Sequence, residues 1–173
     1  MVSIAFRIVQ TAAGPVGFAC SARGLRRVVL PGKSEPQVRR ELQRLEPDAR
    51  EDARLNPDLA KRLVRYFRGE PVAFDDPADY GDAGKFETAA WDACRDIGYG
   101  ETSTYLALAR ELGKPKAARA VGAAMGRNPL PIVIPCHRVL RSDGSLGGYS
   151  GREGVSFKQR LLTMEEAAAG ATV

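Results

Sequence analysis

Residues 102–125, TSTYLALARELGKPKAARAVGAAM, decide the fold of the second half of this chain. Thr102-Ser103-Thr104 offers hydroxyl side chains that cap a helix N-terminus, and the residues after it predict a short helix over Tyr105–Leu112. Gly113-Lys114-Pro115 breaks that helix, because glycine opens left-handed backbone and proline lacks the N–H of a continuing turn. A second short helix is predicted over Lys116–Met125. Two helices joined by a Gly-containing turn form the helix-turn-helix pattern, which helical hairpins with no nucleic-acid role also share. The second helix is more particular. Ala117, Ala118, Ala120, Val121, Gly122, Ala123 and Ala124 are almost all small, and Arg119 stands alone among them. Such a helix lets its backbone approach another surface closely, either a protein core or a nucleic-acid groove. The isolated arginine favours the groove.

Upstream of that stretch, Phe86, Ala89, Ala90, Ala93, Cys94 and Ile97 recur at the spacing of one buried helical face, with Trp91 off the stripe and packing sideways. Pro71–Gly84, acidic and rich in Pro, Gly and Asp, reads as a linker between two units. Before it, Ser3–Gln10, Val16–Ser21 and Leu25–Leu30 carry strand patterns punctuated by Gly14-Pro15 and Gly24. One helix is predicted from near Ser34, with Gln37 as its capping-box partner. Another has Asn56 as N-cap, Pro57 at its first position and Gly69 as a stop. The alanine-rich tail after Glu166 is expected to fray.

Bulk properties remove several classes. No apolar run approaches the roughly 20 residues of a membrane span, so no membrane partner is expected. The start MVSIAFRIVQ lacks the basic-then-apolar layout of a signal peptide, which makes the cytoplasm the expected location. Three scattered cysteines and a single histidine, His137, exclude a disulfide framework and disfavour a structural zinc site. Net charge is +5, and placement matters more than size. Arg110, Lys114, Lys116, Arg119, Arg127, Arg138 and Arg141 face only Glu111 over 32 residues, the pattern of a phosphate-backbone binder or of a solvated basic face.

The chemical centre is Pro131-Ile132-Val133-Ile134-Pro135-Cys136-His137-Arg138-Val139. A strand-like apolar run ends at Pro135, which cannot donate to a sheet ladder. Cys136 follows at once, flanked by His137 and Arg138, and basic neighbours are expected to lower its thiol pKa and favour the nucleophilic thiolate. Adjacent side chains of an extended strand point apart, so His137 reaches Cys136 only if the chain turns or a water bridges them.

Pro-Cys-His-Arg-Val at 135–139 resembles the active-site signature of the O6-alkylguanine-DNA alkyltransferases, or methylated-DNA–protein-cysteine methyltransferases. The resemblance extends to Ile97-Gly98-Tyr99-Gly100-Glu101-Thr102, Lys116–Gly122, Asn128-Pro129, Gly147-Gly148-Tyr149-Ser150-Gly151, and Leu161-Leu162 with Glu165. It is close over Phe86–Glu166 and loose over residues 1–84. It implies an α+β chain: a small antiparallel-sheet-plus-helices domain over residues 1–84, ending in the acidic linker, and a mainly helical, winged-helix-like helix-turn-helix domain over 85–173.

The resemblance also implies a single-turnover transfer of an alkyl group from guanine O6, and from thymine O4, in duplex DNA. Cys136 would be the acceptor, His137 its base through a water, Glu165 the orienting acid and Tyr105 the proton donor to the departing guanine. Asn128 would hold the turn between the second helix and the active-site segment. Arg119 would fill the space of a flipped nucleotide, with Ala118, Ala120, Gly122, Thr104 and Lys116 at the DNA and the second helix in the minor groove. Tyr149, Ser150, Val139 and Pro131 would line the guanine pocket. No cofactor or metal is implied, and the protein would act as a monomer able to cluster on DNA. Two other classes compete: a helix-turn-helix lesion sensor or regulator with an incidental cysteine, and a Cys–His hydrolase, for which no feature demands an oxyanion hole.

Overall fold

The computed structural model describes residues 3–148 and 154–171, which divide into two compact units, Met1–Gly81 and Asp82–Val173. In the first, β1 (Ile4–Thr11), β2 (Gly14–Ser21) and β3 (Gly24–Val29) form an antiparallel meander, and β4 (Arg50–Glu51) joins the far side of β1 in parallel. The sheet is therefore mixed rather than wholly antiparallel. One face buries Phe6, Ala19 and Val29 against Val38 and Leu42 of α1 (Glu35–Leu45). Gly17 makes this approach possible, because a Cβ there would sit 2.6 Å from Leu42. Ser34 and Gln37 form the expected capping box, and the Asn56 side chain accepts from Leu59 N (3.1 Å) to start α2 (Pro57–Tyr66).

The acidic segment after α2 is a packed strap. Leu25 N donates to Pro77 O and Asp79 N to Leu25 O, both at 2.8 Å, and Arg62 grips Asp76 with two nitrogens. Burial alone would raise the Asp79 carboxyl, but hydrogen bonds from Ser21 and Arg26 overcome it and hold it at about 2.

In the second unit, α3 (Lys85–Arg95) precedes β5 (Ser103–Thr104), α4 (Tyr105–Glu111) and α5 (Ala118–Gly126). A 3-10 turn (Cys136–Arg138) runs into β6 (Val139–Leu140), which pairs in parallel with β5, and α6 (Gly154–Gly170) closes the unit. Four expectations change. Trp91 belongs to the buried face of α3, its indole N–H donating to Ala124 O of α5 (2.9 Å), whereas Ala89 is exposed. α5 begins at Ala118 and leaves Lys116 in the turn. Pro131–Ile134 is not a strand. Pro131 lacks an N–H, and Ile134 N donates instead to Leu130 O (2.7 Å), closing a buried turn with Ile132 at φ +76°. The alanine-rich tail continues α6 to Gly170 instead of fraying from Glu166, as suits a residue with the highest helix propensity. No helix among the described residues is long and apolar enough to cross a membrane.

Candidate active site and nucleic-acid interface

α4 and α5 hold the site from one side. The Thr104 hydroxyl accepts from Ala107 N (3.0 Å), so this side chain caps α4. Its cap sets Tyr105 at the first helical position. Across the turn, α5 uses its small residues in two ways: Val121 and Ala124 are buried in the core, while Ala118, Arg119 and Gly122 line a cavity of about 600 Å³. The two surfaces left open by the sequence, core and cleft, are opposite faces of one helix. Ala120 is exposed on α5, and Lys116 is exposed in the preceding turn.

The same cavity is lined by Tyr105, Cys136 and Arg141. Cys136 reaches it because the chain turns immediately: Cys136 N donates to Ile134 O and Arg138 N to Pro135 O, both at 2.8 Å, which winds residues 136–138 into a 3-10 turn. The turn separates the two side chains of interest. Cys136 faces the cavity, and His137 is fully buried against α6, with Nε2 2.6 Å from Glu165 Oε1.

Asn128 ties the arrangement together. Its Nδ2 donates to Ile134 O (2.8 Å) and to Cys136 Sγ (3.1 Å), and its Oδ1 accepts from Leu130 N (2.8 Å). One amide thus holds the strained turn at Ile132 and meets the thiol directly.

The electrostatics correct one expectation from the sequence. Burial raises the Cys136 thiol, and the Asn128 hydrogen bond and the Lys158 charge only partly offset it. Arg138 does not supply the compensating charge, because Nε (2.8 Å) and Nη2 (3.0 Å) both bond to Glu165 and Nη1 donates to Ile97 O. It is also removed from any phosphate-binding set, being buried, and Arg127 is paired with Glu87. Arg110, Lys114, Lys116, Arg119 and Arg141 remain as exposed cations of that cluster.

Burial would raise Glu165, but His137 and Arg138 hydrogen bonds hold it well below the usual carboxylate range. Burial lowers His137 in spite of Glu165. The pair is therefore a carboxylate and a neutral imidazole. With Nε2–H donating to Glu165, Nδ1 is the acceptor nitrogen.

Lys158 is a site residue that sequence reasoning missed. It is fully buried on α6, where its Nζ donates to Val139 O (2.6 Å), Leu146 O and the Tyr105 hydroxyl (3.4 Å). Burial lowers it to about 8, opposed by Cys136. The signal available was a lone lysine seven residues before Glu165, two helical turns along the same face. Pro131 and Val139 are buried and are not among the residues lining the cavity, and Tyr149 and Ser150 lie outside the described residues. Gly147, at φ +69°, passes so close to Tyr105 that a Cβ would stand 2.9 Å from its hydroxyl. Among the described residues, no group of three His, Cys, Asp or Glu is placed to hold a metal ion.

Residues 85–167 match the model of the 6-O-methylguanine DNA methyltransferase DNA-binding domain. Over nearly its whole length the chain is also 38% identical to the methylated-DNA–protein-cysteine methyltransferase of Methanosarcina barkeri, with 93% of this chain and 96% of that protein covered. The chain belongs to this family. The inducible methyltransferase of Bacillus subtilis is 42% identical over 68% of this chain and 64% of its own length. The Mycobacterium tuberculosis OGT crystallised in complex with DNA superposes with a TM-score of 0.80 at 32% identity, over 94% of this chain and 93% of that one. The methyltransferase fold of these relatives thus extends over both units, including the first, where the sequence carried no motif of its own.

Proposed function

We propose that this protein repairs DNA by taking the alkyl group from O6 of guanine onto Cys136, once per molecule. The observation that carries the reading is the Cys136 thiol in the wall of a cavity that α5 also lines, with the Asn128 amide on its sulfur.

A buried thiol with a raised pKa needs a base at the moment of reaction. Neutral His137 is that base, taking the thiol proton through its Nδ1 by way of a water, as Glu165 stabilises the imidazolium that forms. The sulfur attacks the carbon on O6, a carbon–sulfur bond forms and the carbon–oxygen bond breaks, and the electron pair stays with guanine. Tyr105 gives its proton to the departing base, and the Lys158 ammonium beside its oxygen supports the charge left behind. The product thioether has no good leaving group, so the chain is consumed.

A base inside a duplex cannot reach such a cavity, and the target nucleotide must be flipped out. Arg119, on the DNA-facing side of α5, fills the vacated stack, and the small residues around it allow close approach to the minor groove. The exposed cations Arg110, Lys114, Lys116 and Arg141 contact phosphates.

The experiment is a titration of excess O6-methylguanine duplex with limiting protein. One equivalent of guanine per chain, no transfer by Cys136→Ala, and retained DNA binding by that variant are expected. Sustained turnover, or lesion binding without transfer by the wild type, would overturn the reading, the latter in favour of a sensor.

A further inference from the structure

The first unit carries a cationic groove beside an open sheet edge. β4 pairs only with Ala5 and Phe6 of β1. On that side Phe6 O accepts from Asp52 N (2.9 Å), so the backbone groups of Ile8 and Gln10 point to the same edge by the alternation of a strand. The other edge of β1 agrees, because Gln10 stands opposite Pro15, which has no N–H to donate. Beyond Phe6, no strand among the described residues lies against the β4 side of β1. This edge opens into a groove of about 590 Å³ between β1 and α2. Its floor is apolar, with Val9 and Ala60 buried and Val64 half-buried, and its rim carries Arg7, Lys61, Arg65 and Arg68. Among the described residues no carboxylate lines it. Arg65 is paired with Glu70 (2.6 Å) and Arg7 donates to Leu55 O (3.1 Å). Lys61 and Arg68 are exposed, with no ion pair among the described residues.

We propose that this groove docks an extended acidic peptide of a partner protein, added as a strand to the open edge of β1. The inference is independent of the alkyl-transfer reading. The chemistry of the edge selects the occupant. The carbonyls of Ile8 and Gln10 need donors and their amides need acceptors, and a peptide backbone supplies both in the right alternation. A phosphodiester chain offers acceptors only, so a nucleic acid would neutralise the rim and leave those carbonyls facing anionic oxygens. The stretch from Ile8 to Thr11 is roughly 13 Å long, room for about four residues of an added strand. Alternate side chains of that strand turn toward the floor and away from it. Apolar residues then pack on Val9, Ala60 and Val64, and the carboxylates between them meet Lys61 and Arg68, whose long side chains reach past the strand.

The test is fluorescence anisotropy of the full chain with a fluorescein-labelled peptide of about six residues that alternates aspartate and valine. Saturable binding is expected, together with slower hydrogen exchange at the Ile8 and Gln10 amides. Lys61→Glu combined with Arg68→Glu turns two exposed attractions into repulsions and should weaken binding about tenfold. Transfer from O6-methylguanine duplex by that variant should stay at the wild-type rate. The same peptide methylated on every amide keeps its charge and loses its donors, and should also bind about tenfold more weakly. No binding of the unmethylated peptide overturns the proposal and leaves the cations as guards against strand pairing. Equal binding of the methylated peptide overturns it in favour of a nonspecific anion surface. A loss of alkyl transfer in the double variant overturns it in favour of a DNA contact. Protection of the two amides by rising protein concentration alone overturns it in favour of a second copy of the chain.

Discussion

Arg138 grips the Glu165 carboxylate with Nε at 2.8 Å and Nη2 at 3.0 Å, in a buried pair that also receives the His137 ring. The residue beside the histidine in sequence thus fixes the acid on α6 that orients that histidine.

The pair predicts a specific coupling. Removing one partner of a buried ion pair leaves an uncompensated charge, at a cost of about 3–5 kcal/mol. Arg138→Met and Glu165→Leu should each destabilise on that scale in chemical denaturation, and the double variant should lose clearly less than their sum. Additive losses would mean that the two side chains do not depend on each other.

Asn128 makes a prediction about chemistry as well as stability. Asn128→Ala removes three hydrogen bonds that hold a turn with a β-branched residue at φ +76°, and should cost about 1–3 kcal/mol. Asn128→Asp keeps an acceptor for Leu130 N but loses both donated bonds and puts a negative charge beside the sulfur. Transfer rates should fall in the order wild type, Asn128→Ala, Asn128→Asp, on DNA and on the free alkylated base alike. An aspartate variant as fast as wild type would refute the role given to the amide.

Local rules made much of this legible. The Ser34 capping box, the Asn56-Pro57 start and the Thr104 cap each occur where short-range hydrogen bonding demands them. What stayed hidden depends on partners distant in sequence. Pro131–Ile134 has strand composition, but its carbonyl and amide groups are claimed by Asn128 and Leu130. Arg138 looks like one more cation in a basic run until Glu165, 27 residues on, neutralises it. Lys158 looks like a surface lysine until the carbonyls of Val139 and Leu146 close over it.

Lys158 gives the pH prediction. Burial sets its folded value near about 8, whereas an unfolded lysine titrates near about 10.4. Between those limits the unfolded chain holds a proton on Lys158 that the folded chain has lost, so the contribution of this group to stability rises with pH. Relative to Lys158→Met, the wild type should gain up to about 3 kcal/mol from pH 8 to 10.4 and stay level below pH 8. A difference that is flat or falling through that window would contradict the assignment.

Arg119 separates base flipping from chemistry. Extruding a paired base costs a few kcal/mol, of which a residue filling the gap recovers part. Arg119→Ala should therefore slow repair of duplex DNA by roughly ten- to a hundredfold while barely changing reaction with the free alkylated base. Glu165→Ala should impair both substrates, since it acts through His137. Equal losses on both substrates for Arg119→Ala would make it a support of the fold.

The most direct test of the central claim is the location of the transferred group. After incubation with O6-methylguanine duplex, the intact chain should gain one methyl in place of one hydrogen. Digestion with trypsin should find the gain on the peptide Asn128–Arg138, which contains Cys136 and no other cysteine. A methyl on Cys20 or Cys94, or an unmodified chain after the lesion has been repaired, would contradict the account.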